Sequence, residues 1–89
     1  MSAVQLNARP ALSPLYRLQF EAVQDSWVLL YPEGMVKLNG PASEILKRCS
    51  GEVTVQGLID DLQTTFGEPD LRADVCAFLS DAYDRGWLR

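Results

Sequence analysis

Trp27-Val28-Leu29-Leu30-Tyr31-Pro32-Glu33-Gly34-Met35-Val36-Lys37-Leu38-Asn39-Gly40-Pro41-Ala42 holds two β-prone runs, a tight turn and the start of a helix. Trp27 to Tyr31 is a compact apolar run that Pro32 ends. In Pro32-Glu33-Gly34 the proline fixes φ and the glycine is free to take positive φ, which is turn chemistry. Met35-Val36-Lys37-Leu38 is then a third short strand. At Asn39-Gly40-Pro41 the period changes: Asn39 or Gly40 suits a helix cap and Pro41 suits a first helical turn.

Upstream of this stretch, residues 15–23 alternate, with Tyr16, Leu18, Phe20 and Ala22 on one side and Arg17, Gln19 and Glu21 on the other. Period two with one polar face predicts a half-buried strand, and Gln24-Asp25-Ser26 is a break of hairpin length. Downstream, Ala42, Ile45, Leu46 and Cys49 fall at i, i+3, i+4 and i+7, one face of a helix closed by Ser50-Gly51. Thr54 is placed to cap a second helix with the stripe Val55, Leu58, Ile59, Leu62 and Phe66, ending at Gly67. Glu68-Pro69-Asp70 opens a third, with Asp70 as its expected cap and Leu71, Val75, Phe78, Leu79 and Ala82 as its stripe. Gly86 ends it, and Trp87-Leu88 is expected to fold back onto the core. The predicted fold class is α+β: a three-stranded antiparallel β-meander followed by three helices on one face, a winged-helix-like arrangement. Residues 1–14, with Pro10, Pro14 and little pattern, are expected as a flexible N-terminal arm, and residues 15–89 as a single domain.

Composition narrows the function. Eighty-nine residues leave room for one domain and no deep enzyme cleft, since chains of this size bury only roughly 60–65% of their unfolded surface. At 47% hydrophobic and 22% charged the chain is globular rather than disordered. No apolar run is long enough for a membrane helix, and the first residues lack the basic start and apolar stretch of a signal peptide, so the expected compartment is the cytoplasm. There is no histidine, which removes the commonest general base and metal ligand. Cys49 and Cys76 stand 27 positions apart with no partner spacing, and small buried hydrophobes are their expected role. Asp60-Asp61 read as solvated helix carboxylates. No catalytic residue, metal ligand or cofactor motif is assembled.

The net charge of −4 is uneven. Residues 51–89 carry Arg72, Arg85 and Arg89 against eight carboxylates, Asp70, Asp74, Asp81 and Asp84 among them. A third helix so acidic is wrong for a DNA groove, whatever the fold shares with DNA readers. A peptide-binding reading suits the pattern better. The meander leaves a free edge on its short third strand, and a free edge can accept an extended peptide. The apolar side of the third helix would form the other wall of a groove. The same edge could pair with a second copy, so monomer and homodimer both stand. A nucleic-acid-binding or structural protein-interaction domain is the alternative.

The stretch from Leu29 to Ala42, continued by Glu44-Ile45-Leu46, Gly51, Thr54-Val55 and Leu58, resembles the PqqD family. The Pro-Glu-Gly turn leading into Val36-Lys37-Leu38-Asn39 is its most specific piece. Ser50 departs from the family, which often has an acidic residue before the glycine that follows the first helix. The resemblance implies a peptide chaperone in biosynthesis of pyrroloquinoline quinone. Such a protein binds the ribosomal precursor peptide PqqA and presents it to the radical-SAM enzyme PqqE, which joins a Glu and a Tyr of that peptide. It also implies that the peptide lies as an added strand beside the third strand and against the third helix. Met35, Val36, Lys37 and Leu38 are then the expected peptide-binding edge, with Arg72, Val75 and Leu79 on the helix. No nucleic acid, membrane, metal or cofactor is implied.

Overall fold

A computed structural model describes residues 4–89. Three strands, β1 (Arg17–Glu21), β2 (Ser26–Tyr31) and β3 (Gly34–Lys37), precede three helices, α1 (Gly40–Lys47), α2 (Val55–Phe66) and α3 (Arg72–Asp84). The strands form one antiparallel sheet in the order β1-β2-β3, so the α+β meander-then-helices layout is the observed one. Leu18, Leu29 and Val36 stand side by side across the sheet and face the helices. Val28 lies on the opposite face, flanked across the strands by Gln19 and Lys37, and is also fully buried. The alternation of residues 15–23 overruns the strand. β1 stops at Glu21 because the chain turns through Asp25 at φ 51°, which leaves Val23 almost wholly exposed.

The helices begin where side chains can take their free amides. Asn39 Oδ1 accepts the Ala42 N–H at 2.8 Å to start α1. Thr54 Oγ1 accepts the Gly57 N–H at 3.0 Å to start α2, and Gly67, at φ 66°, ends it in the left-handed conformation that glycine adopts at no steric cost. For α3 the expectation fails. Leu71, not Asp70, occupies the cap position, and no side chain caps there. The Leu71 N–H donates to Gln63 Oε1 of α2 at 2.9 Å, which ties the start of α3 to the preceding helix. After α3, the Trp87 N–H donates to the Ala82 carbonyl and Leu88 is buried, with Trp87 tilted against Phe78.

The segment expected as a flexible arm makes backbone bonds and apolar contacts with the rest of the fold. Residues 1–3 lie outside the described residues, but from Val4 onward the chain is laid along the helices. The Val55 and Gln56 amides, first in α2, donate to the carbonyls of Ala8 and Leu6 at 2.9 and 3.0 Å. Gly51 N–H donates to Pro10, and Ala11 and Arg89 exchange both backbone bonds at 3.1 and 2.9 Å. Val4, Leu6, Ala8 and Leu12 pack on the core and Pro10 is fully buried. The physical reason is the start of α2. Val55 has no exposed surface, so water does not reach these amides, and a helix leaves its first four unpaired.

Thr54→Ala should cost about 1 kcal/mol through the lost cap. Removing residues 1–9 should cost more, since it strips two further amides of their acceptors. Urea unfolding measures both, and hydrogen exchange gives the sharper check. The Val55 and Gln56 amides should be protected in the full chain and should exchange freely after truncation.

Candidate functional site

The β2–β3 ladder fixes which way each backbone group of β3 points. The Leu38 N–H donates to the Trp27 carbonyl at 2.9 Å, and hydrogen-bonded and non-bonded pairs alternate along an antiparallel ladder. In the observed register Val36 is therefore bonded to Leu29 and Gly34 to Tyr31. Met35 and Lys37 turn their N–H and C=O groups to the open side. Among the described residues no other backbone group pairs with them. By the same alternation β1 turns Leu18 and Phe20 outward on the far edge.

What distinguishes the β3 edge is where it leads. Three residues past Lys37 the chain reaches Gly40 and Pro41, which line a groove of about 670 Å³. Ile45 of α1, Leu62 and Phe66 of α2, Leu71 at the cap of α3 and Val75 of α3 complete its apolar lining, and no strand residue contributes. Phe66 is half exposed because it is the last residue of α2 before the Gly67 turn. The groove size falls within the range of roughly 300–1,000 Å³ typical of ligand sites.

The seven residues read from the sequence as binding residues divide. Met35 and Lys37 are exposed on the β3 edge with Val36 half buried between them. Val75 lines the groove, as part of its floor, being 2% exposed. Leu38 and Leu79 are buried in the core and neither lines the groove. Leu79 shares a face with Val75, but one turn further along α3 that face is covered by the core. Arg72 is exposed and does not line the groove either. Its Nη2 donates to Gln56 Oε1 at 3.1 Å, tying α3 to the start of α2. Phe66, Leu71, Ile45 and Pro41 had been read only as helix stripe or helix start. The one signal that could have singled out Phe66 is its place against the Gly67 stop, where a stripe residue runs out of core to face.

An ion cluster braces the α1 wall. Glu44 accepts from Lys47 Nζ at 2.9 Å and from Arg48 Nη1 at 2.8 Å, while Arg48 Nε reaches across to Asp61 of α2. The Arg48 hydrogen bond first, and Lys47 second, hold Glu44 below the ordinary value of 4.5. Asp61 is lowered by its bond from Arg48. Asp60 accepts from Gln56 Nε2 at 2.9 Å, so the adjacent carboxylates serve separate surface contacts. Burial pushes the Cys49 thiol up to about 12, which leaves it unreactive at neutral pH. Cys49 and Cys76 are both free. Among the described residues no group of three metal-ligating side chains comes together, and no helix is long and apolar enough to cross a membrane.

Comparison with known proteins adds to this geometry. The family described as Coenzyme PQQ synthesis protein D (PqqD) matches residues 26–88. A PqqA binding protein of Pseudomonas aeruginosa (strain UCBPP-PA14) is 45% identical over 89 residues, covering 99% of this chain and 97% of its own. Another, of Methylococcus capsulatus, is 40% identical over 78 residues, covering 88% and 84%. The solution NMR structure of the PqqD truncation of Methylobacterium extorquens PqqCD, described as a functional, stand-alone RiPP recognition element, superposes with a TM-score of 0.79 at 29% identity. It covers 98% of this chain and 95% of that one.

The ion cluster has a direct pH signature. A carboxylate whose folded value is lowered contributes stability that is complete above its unfolded value and is lost as pH falls through the folded one. The Glu44 contribution should therefore be intact above 4.5 and disappear progressively below it. Glu44→Gln should flatten that acid limb in thermal melts between about pH 5 and 3 and leave the neutral-pH limb parallel to wild type.

Proposed function

The chain belongs to the PqqD family, and on that footing we propose that it is a peptide chaperone of pyrroloquinoline quinone biosynthesis. It binds the precursor peptide PqqA as a strand added to β3 and presents it to the radical-SAM enzyme PqqE, with no catalytic step of its own. The encounter is placed in the cytoplasm, a compartment in keeping with two free cysteines.

The observation that carries this reading is the pair of outward-facing backbones at Met35 and Lys37 on a strand edge, from which the chain passes within three residues to Gly40 and Pro41 at an apolar groove. Strand addition takes affinity from main-chain hydrogen bonds and specificity from pockets for alternate side chains. Magnitudes show that both parts are needed. Two outward residues offer four bonds, and at a net ~0.5–1.5 kcal/mol each they supply roughly 2–6 kcal/mol. A micromolar complex needs about 8 kcal/mol after the cost of association. Burying one or two apolar side chains at ~1.5–3 kcal/mol each adds what main-chain bonds alone lack. Beside β3, inward side chains of the added strand would join the Val36 side of the sheet and outward ones would flank Met35 and Lys37.

Two substitutions of neighbouring residues separate the roles of the two sides of β3. Lys37→Pro removes an outward N–H and leaves the β2 ladder whole, so it should keep the melting temperature within a few degrees and weaken PqqA binding about tenfold by calorimetry. Val36→Pro removes an inward N–H and should lower stability first. A Lys37→Pro protein that binds PqqA as wild type does would place the peptide elsewhere.

The groove gives a matching contrast. Phe66→Ala should cost little stability and weaken the peptide. Leu79→Ala should cost about 2–5 kcal/mol of stability and leave affinity unchanged in the molecules that remain folded.

A further inference from the structure

Three carboxylates rim the groove, those of Glu44, Glu68 and Asp74. Glu44 is already neutralised by Lys47 and Arg48. Glu68 and Asp74 are exposed, and among the described residues no ion pair reaches either. The nearest candidate cation in sequence, Arg72, is turned to Gln56. The groove thus joins an apolar floor to two uncompensated negative charges on one rim, and no Lys or Arg lines it.

We propose that this groove selects a peptide segment in which an apolar side chain is flanked by a Lys or Arg, the apolar group seated against Phe66 and Val75 and the cation held by Glu68 and Asp74. The inference rests on the peptide-chaperone reading and adds the chemistry of the segment chosen. The attraction is complemented by rejection. An acidic residue at the same place would meet two like charges beside a low-dielectric floor, and repulsion of wrong partners is a strong source of specificity. Glu68 sits in the α2–α3 turn and Asp74 in the first turn of α3. Both charges therefore come from the α2–α3 side of the groove, and the cation belongs on that side of the bound segment.

The test uses the full-length protein and fluorescein-labelled PqqA. Asp74→Asn with Glu68→Gln should weaken binding about threefold at 50 mM salt, and Asp74→Lys with Glu68→Lys at least tenfold, both differences shrinking toward nothing at 500 mM salt. Asp84→Lys, far along α3, should stay within twofold. A PqqA variant with Glu in place of whatever Lys or Arg it carries should bind the doubly reversed protein better than it binds wild type. Melting temperatures confirm that each variant is folded, as expected for exposed positions. Wild-type protein that fails to bind PqqA overturns the chaperone reading and this inference with it. Binding that is insensitive to salt and to both double variants overturns the inference alone. Equal weakening by Asp84→Lys assigns the effect to net charge rather than the groove and also overturns it. So does a double variant that changes dimer mass in sedimentation while PqqA affinity holds, since a second copy is then the occupant.

Discussion

The first amides of α2 must be satisfied away from water, and most of the tertiary arrangement follows from how that is done. Val55 is fully buried at the helix start, and an unpaired buried amide costs about 1–3 kcal/mol. Thr54 takes the Gly57 amide with its side chain, and the carbonyls of Ala8 and Leu6 take those of Val55 and Gln56; the bond from Leu58 to the Thr54 carbonyl is then the first of the helix itself. Residues 4–14 are thereby drawn across the molecule. Once there, they bond Gly51 in the α1–α2 connection and exchange bonds with Arg89 after α3. One segment thus ties the α1–α2 connection, the start of α2 and the chain after α3 together. The walls of the groove belong to those same three helices, so its shape depends on a segment that does not line it.

The meander and the three helices were legible because each has its own period and its own terminal chemistry. Asn39, Thr54 and Gly67 act as the sequence suggests, each through a bond or backbone angle that its side chain makes available. The N-terminal strap was not read, although Val4, Leu6, Ala8 and Pro10 alternate with the exposed Gln5, Asn7 and Arg9. Pro10 and Pro14 obscured that alternation. More fundamentally, the strap is held by main-chain bonds to a helix end and to the chain terminus, and such bonds leave no mark on side-chain pattern. Asp70 misled for a related reason. It has the right chemistry for a cap, but the helix starts one residue later and the cap position falls on Leu71, whose own N–H is held by Gln63 of another helix.

The edge of the candidate site was visible and its depth was not. A short third strand at the end of a meander must have an open side, and Met35 and Lys37 occupy it. Helical spacing says that Val75 and Leu79 share a face and cannot say how far along the helix that face is covered. Near the start of α3 the chain has just turned through residues 67–71, leaving Val75 at the floor of an opening. One turn later Leu79 is sealed in. Arg72 shows the complementary limit. Its position suits the groove, yet a hydrogen bond to Gln56 turns its guanidinium toward the start of α2.

An exposed sheet edge is ordinarily a hazard, since it invites pairing with any other strand, and proteins blunt it with short strands, prolines and lysines. β3 carries these protections while remaining open. It is four residues long, it follows Pro32 directly after the turn, and it displays Lys37. Only two residues present outward backbone, too few to hold a partner strand by main-chain bonds alone. The groove cannot hold a partner by itself either, because its walls supply burial without fixing direction or register. Only a chain that satisfies both at once gains enough to stay. On the proposed strand addition, that requirement would reconcile an open edge with selectivity: indiscriminate pairing would be too weak to persist, and the side chains that enter the groove would decide which extended segment does.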